Sequence, residues 1–329
     1  MVKSLLDRRL LLITGKGGVG KSTVAAALGW IAAAQGKRVL LCEFEPKGDL
    51  AFALGGVGPR NQEPLRFVPR EVHPGLWAMA MDPEESLKEY LRLNLRIPFV
   101  TRIGALSGVF DFLANAAPGV REIVTIGKVA FEAKQQLYDL IVVDATATGH
   151  VLGQLRAPQA INELVGAGLI RSQTSWILEI LGDPDVTGLV ITSTLEEMPV
   201  TESLALLHDV DTKTNVHTAC IVANRILPAP FTVAGERVFR GMRADPSRLG
   251  LTDTRIAEAI VRGVALTEDL RGQRTEQLAR LVAGVGRIPI ALIPELFDVA
   301  AGLPMTRAIA SQLRDELGRV LPATRRNRR

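Results

Sequence analysis

The sequence predicts an α/β fold: a doubly wound, mostly parallel sheet with helices on both faces, interrupted by a helical insertion. Three observations carry that prediction. Short, β-rich apolar runs recur along the 329 residues, and most are continuous rather than alternating, which suits strands buried on both faces. Helical patterns lie between them, and strand–helix alternation marks a parallel sheet with crossover helices. The first apolar run, moreover, passes into a helical pattern through a glycine-rich loop, "GKGGVGKST".

Strands are expected at 10–14, 38–43, 76–81, 140–144, 189–193, 219–223 and 289–293. Helical patterns cover 22–34, 155–167, 201–207, 255–264 and 275–285. Residues 82–136 break the alternation, because "PEESLKEYLRLNL", "VTRIGALSGVFDFLANAA" and "GVREIVTIGKVAFEAKQQ" follow one another without a strand. Pro98 and Pro118 mark the breaks between these helical stretches. The segment is expected to be an insertion between two strands of one sheet, inside a single domain spanning 1–329. Its apolar residues, among them Leu106, Val109, Phe110, Phe112, Leu113 and Ile123, read first as the insertion's own core and second as the lining of a groove. A second, arginine-rich helical region covers 236–280. The C-terminal stretch "MTRAIASQLRDELGRVL" is amphipathic, and core packing is its first reading, a membrane-surface helix its second.

Composition narrows the function classes. A hydrophobic content of 47% argues for a folded globule. The formal charge is only +4 and the basic residues are scattered, apart from the tail "TRRNRR", so no nucleic-acid partner is expected. No apolar run approaches the roughly 18 residues that span a bilayer. The glycine-rich loop begins at Gly15, which leaves no room for a signal peptide, and a cytoplasmic protein is expected. Cys42 and Cys220 lie inside apolar runs and read as reduced, buried strand thiols without metal-ligand spacing.

Gly15, Gly20, Lys21 and Ser22 fit G-x-x-x-x-G-K-[ST], the phosphate loop of P-loop NTPases, in the required strand-to-helix context. Glycines let backbone N–H groups converge on an anion, and the helix starting near Lys21 aims its positive end at the same place. The expected nucleotide-binding set is therefore Gly15, Lys16, Gly17, Gly18, Val19, Gly20, Lys21, Ser22 and Thr23. Lys21 neutralises charge on the β- and γ-phosphates, and the Ser22 hydroxyl is the natural Mg²⁺ ligand. ATP and Mg²⁺ are the expected cofactors.

The full "GKGGVGKST" resembles the deviant Walker A loop, G-K-G-G-x-G-K followed by Ser/Thr, of the P-loop group that includes MinD, ParA, the nitrogenase iron protein and the arsenical-pump ATPases. That resemblance implies that Lys16 crosses a dimer interface to phosphates bound by a partner subunit. Phosphoryl transfer needs cationic charge where negative charge develops, and a lysine in trans makes hydrolysis depend on dimer closure. An exposed loop lysine is the alternative reading of Lys16.

Three more stretches narrow the likeness. "CEFEPKGDLAFAL", "LIVVDATATGHVLGQLRAP" and "NAAPGVREIVTIGKV" resemble motifs of the ArsA/Get3 family, the arsenical-pump and tail-anchored-protein-targeting ATPases. "STLEEMPVTES" and "IVANR" are weaker echoes. The chain looks like the actinobacterial "anion-transporting ATPase" branch of that family. The resemblance implies roles position by position. Glu45 would position the attacking water, with Glu43 a rival and helix capping the plain alternative. Asp144, ending an apolar strand, would hold Mg²⁺ through water. Thr148, Gly149 and His150 would form the second switch. Asn224 would read the adenine, or else be a strand-end turn residue, and Pro294 would begin the adenine-side loop.

Departures from the family pattern limit what carries over. Its D-T-A-P switch is Asp144-Ala145-Thr146-Ala147 here. The zinc-clasping C-x-x-C is absent, and two strand cysteines do not make the thiol cluster that trivalent arsenic needs, so no arsenite site is expected. Residues 82–136 hold no methionine, unlike the methionine-rich client groove of the targeting factors. The leading expectation is a Mg²⁺-dependent ATPase acting as a homodimeric switch, or paired with a paralogue, that couples nucleotide state to a protein client or a membrane-protein partner. The alternative is a weakly hydrolysing, nucleotide-sensing subunit of a heterodimer with a paralogous ATPase.

Overall fold

The computed structural model describes residues 4–56, 65–95, 119–164 and 168–320. Eight strands form one sheet: β1 (Leu10–Gly15), β2 (Val39–Glu43), β3 (Arg70–His73), β4 (Leu76–Ala80), β5 (Leu140–Ala147), β6 (Thr187–Thr194), β7 (Thr218–Ile226) and β8 (Ile290–Pro294). Their order across the sheet is β3-β4-β2-β5-β1-β6-β7-β8. Every neighbouring pair is parallel except β3–β4. All seven expected strands are present. The eighth, β3, is an antiparallel edge whose residues "REVH" are exposed or half-buried, so it carries no apolar run to announce it.

Burial on both faces explains the continuous apolar runs. In β1, Leu11 and Ile13 enter one core with Val24 and Leu28, while Leu10 and Leu12 enter the other with Ile126 and Val129. The first core is covered by α1 (Lys21–Ala34), α2 (Asp49–Ala53) and the C-terminal helix; the second by the helices between the later strands.

Two helices of the expected insertion, α3 (Pro83–Leu95) and α4 (Val120–Gln135), lie between β4 and β5. Its middle stretch, with Leu106, Val109, Phe110, Phe112 and Leu113, falls outside the described residues. Ile126, Val129 and Ala130 of α4 pack on the sheet, whereas Ile123 lines an apolar cavity shared with Tyr90, Phe131 and Trp176.

Past β5 come α5 (Thr148–Leu164), α6 (Leu169–Gly182) and α7 (Glu197–Lys213). The expected helix 155–167 in fact starts at Thr148, and α6 was not expected. β5 also runs past Asp144 to Ala147, because alanine stands where the resembled switch has proline; Ala147 keeps its N–H and pairs with Gly15.

Next are α8 (Val233–Ala244) and α9 (Thr254–Val285). The helices expected at 255–264 and 275–285 are one 32-residue helix. The intervening "ALTEDLRGQR" is rich in good helix formers, and only Ala257, Val261, Leu281 and Val285 of α9 are buried, so its middle faces no core. The last helix, α10 (Leu303–Val320), buries Ile309, Ala310, Leu313 and Leu317 in the α1-side core. The Thr306 hydroxyl donates to the Ala53 carbonyl at 2.7 Å, tying α10 to α2. The core reading of the C-terminal amphipathic stretch therefore holds. No helix among the described residues is long and apolar enough to cross a membrane. Cys42 in β2 and Cys220 in β7 are free and buried, and burial pushes both thiols well above their ordinary range.

Candidate nucleotide-binding site

The loop between β1 and α1 is clamped by three strands. Gly15 passes so close to β6 that a Cβ there would lie 2.0 Å from the Thr192 carbonyl oxygen. Gly20 has φ +94°, and a Cβ there would meet Asn224 Nδ2 at 2.5 Å. The same Nδ2 donates to the Val19 carbonyl at 2.9 Å. The Thr14 hydroxyl donates to the Thr146 carbonyl at 2.8 Å, fixing β1 to β5 where the loop begins. Glycine is required by space as well as conformation, and the first turn of α1 is held at a defined place above the sheet's C-terminal edge.

Lys21 opens α1 and curls back, its ammonium donating to the Lys16 carbonyl at 3.2 Å. Burial lowers its pKa, while Asp144 acts in the opposite sense. Asp144 is buried on β5 and hydrogen-bonded by the Ser22 side chain; burial nevertheless pushes it up to about 6. Its Oδ1 has no hydrogen-bond partner. A hydroxyl beside a buried carboxylate with an unused oxygen fits Mg²⁺, which prefers oxygen ligands and retains water. Ser22 and Asp144 are the residues that would hold it.

Glu43 stands opposite Asp144 in the β2–β5 register. It is 2% exposed and accepts from the Leu50 N–H at 3.4 Å, and also from the Gly48 N–H, so it caps α2. Burial pushes its carboxyl up to about 7, with Asp144 and Asp49 acting the same way, and Oε2 is unpartnered. Glu45, two residues on, is half-exposed and paired with Lys47 at 2.5 Å. It lies near enough to act on both Lys21 and Asp144 electrostatically.

Lys16 does not point freely into solvent. Its ammonium lies 2.6 Å from Glu202 Oε1 on α7, and the other oxygen of that carboxylate accepts from the Thr148 hydroxyl at 2.8 Å. Thr148 is the first residue of α5, with Gly149 and His150 exposed behind it. Thr146, near the end of β5, donates its hydroxyl to Gln154 Oε1 of α5 at 3.0 Å.

The fold thus gathers residues 15–23, Asp144, Thr148 and Asn224 at one edge of the sheet. Pro294 ends β8, two strands beyond β6, in register with Ile226. Asn224 is only 4% exposed, and its amide is engaged with the loop rather than turned outward. Arg225 beside it takes a left-handed φ of +57°, uncommon for a side chain of its size, with its carbonyl held by Arg274 of α9 at 2.9 Å. Sequence reasoning missed Glu202. Its one signal was the "STLEEMPVTES" echo, which contains it without marking what it touches.

Comparison with known proteins gives the family of the chain. A family model described as anion-transporting ATPase matches residues 8–175. The ATPase BagA of Mycobacterium tuberculosis is 32% identical over 227 residues, 67% of this chain and 66% of that protein. An ATPase GET3 of Podospora anserina is 28% identical over 165 residues, covering 49% of this chain and 47% of its own. The arsenical pump-driving ATPase of Escherichia coli is 26% identical over 239 residues, 67% of this chain and 40% of that one. The chain therefore spans between 40% and 66% of the length of these relatives.

Proposed function

This chain belongs to the anion-transporting ATPase family, and from that premise we propose that it is a Mg²⁺-dependent ATPase whose nucleotide state switches a two-subunit assembly. The observation that carries the reading is the half-buried Ser22 hydrogen-bonded to the buried Asp144 at the mouth of a clamped phosphate loop. ATP would lie along residues 15–23, with Lys21 against the β- and γ-phosphates. Mg²⁺ held by Ser22 and, through water, by Asp144 would neutralise developing phosphate charge. Glu45 would orient the water that attacks the γ-phosphorus as the bond to the bridging oxygen of ADP breaks. To do so it must leave Lys47. Lys16 would serve phosphates bound by a partner subunit, identical or paralogous. Thr148, Gly149 and His150 would report the phosphate state to α5 and so to α4, which packs against it. Asn224 supports the nucleotide from beneath the loop, and Pro294 would edge the base. The whole chain would work as one cytoplasmic unit coupled to a protein client or membrane-protein partner.

The test is steady-state ATP turnover with and without Mg²⁺, in the wild type and in Glu45→Gln. Magnesium-dependent turnover that falls at least about 100-fold in the variant supports the reading. A second reading has its own observation: Glu45 is neutralised by Lys47, and the switch carries Ala145 and Ala147. In that case the chain is a nucleotide-sensing subunit, and turnover appears only with a paralogue and is indifferent to Glu45→Gln.

A further inference from the structure

We propose that Glu202 is a positioning residue that holds Lys16 against the switch helix of its own protomer and must release it before Lys16 can reach a partner's phosphates. This rests on the trans role given to Lys16 above.

The geometry is specific. One carboxylate divides its two oxygens between the two elements that the nucleotide must control: Oε1 to Lys16 of the phosphate loop at 2.6 Å, and Oε2 to Thr148 at the head of α5 at 2.8 Å. The arm carrying that carboxylate is fixed, because α7 buries Val200, Ser203 and Leu206 against the fold. Lys16 and Thr148 each pull the Glu202 carboxyl below its ordinary range, Lys16 the more strongly. Held 2.6 Å from Glu202, the Lys16 ammonium could enter another subunit's phosphate site only by bringing that carboxylate beside the phosphates, where the negative charges repel. The two contacts therefore oppose each other.

The contact is also breakable. The side chains are 31% and 33% exposed, and an ion pair that open to water is weak enough for phosphate to compete with it. When Lys16 leaves, Glu202 keeps only Thr148, and the phosphate loop is uncoupled from the start of α5. One residue thereby links loop, switch helix and quaternary state.

The test uses Glu202→Gln in the full chain. The substitution is isosteric at a one-third exposed position, so the fold is retained. In nucleotide-free protein, the acylation rate of Lys16 by an amine-reactive reagent, read by peptide mass spectrometry, should rise about threefold or more as the ion pair is lost. With Mg²⁺ and a non-hydrolysable ATP analogue, sedimentation should show self-association about three- to fivefold tighter than in the wild type, and none in Lys16→Ala or in the double variant. Unchanged Lys16 reactivity overturns the proposal, as does association that is unaltered or weaker in Glu202→Gln. If Lys16 becomes more reactive but the wild type never associates with nucleotide, the trans reading of Lys16 has failed and takes the proposal with it. If the wild type associates through Lys16 but Glu202→Gln changes nothing, only the role of Glu202 has failed.

Discussion

Asn224 donates its side-chain amide to the Val19 carbonyl at 2.9 Å, so strand β7 props the phosphate loop from below. The bond is buried and bridges 205 positions of sequence. Removing it leaves a buried carbonyl without a partner, which costs about 1–3 kcal/mol. Asn224→Ala should therefore lower the melting temperature of the nucleotide-free protein and weaken ATP and GTP binding alike. If adenine contact were the whole role, the nucleotide-free melting temperature would not move and only ATP would bind less well.

Gly15 is constrained by the main chain of β6, whereas Gly20 is constrained by the side chain of Asn224. A Cβ at Gly15 would sit 2.0 Å from a main-chain oxygen, which no rotamer change relieves. Gly15→Ala must displace either the loop or the end of β6, and should destabilise the protein by about 3 kcal/mol or more. Gly17 has nothing within 4 Å of such a Cβ, so Gly17→Ala should melt close to the wild type. Denaturant unfolding of the two variants side by side decides this, and equal losses would show that the loop is not held by Thr192.

How much of this was readable beforehand depends on how local each signal is. β1, the loop and α1 form one contiguous stretch whose residue types are dictated by backbone geometry, so the motif announced the site. Strand β3 was silent because "REVH" on a solvated edge needs no apolar residue. The middle of α9 was silent for a similar reason, having no core to face. Asp144 could be picked out, since a charge deep in an apolar run needs a cause, but the strand's continuation to Ala147 follows from the N–H of alanine and was overlooked. The pairing of Lys16 with Glu202 spans 186 positions and exists only because the order β5-β1-β6 sets α5 and α7 on either side of the loop. A single sequence contains no trace of such a pair.

The unused oxygen of Asp144 makes a prediction about metal rather than about nucleotide. Asp144→Asn keeps the shape and the Ser22 contact but removes the charge. ATP affinity without Mg²⁺ should be unchanged or slightly improved, because a buried like charge has gone. The gain in affinity on adding Mg²⁺ should shrink by about tenfold, given the one charge-assisted interaction at stake. Calorimetric titrations of ATP at several Mg²⁺ concentrations measure both. Equal Mg²⁺ dependence in the two proteins would place the metal elsewhere.

Glu43 contributes to the pH dependence of the nucleotide-free protein. Its carboxyl is pushed from 4.5 up to about 7, so between those values the folded state keeps a proton that the unfolded chain has lost. The neutral carboxyl's contribution to stability is fully present below about pH 4.5 and is lost as pH rises through about 7. The interval corresponds to about 3 kcal/mol at most. Asp144, raised to about 6, adds a loss of the same sign that is complete at lower pH. Glu43→Gln retains an acceptor for the α2 amides but cannot ionise. Between about pH 5 and pH 8 its stability relative to the wild type should improve by about 2–3 kcal/mol, measured by denaturant unfolding without nucleotide or Mg²⁺. The Asp144 part of the slope should survive in the variant, since that group still titrates. A difference between the two proteins that stays constant across this range would mean that Glu43 is already ionised in the fold and that its bonds to the Gly48 and Leu50 amides outweigh its burial.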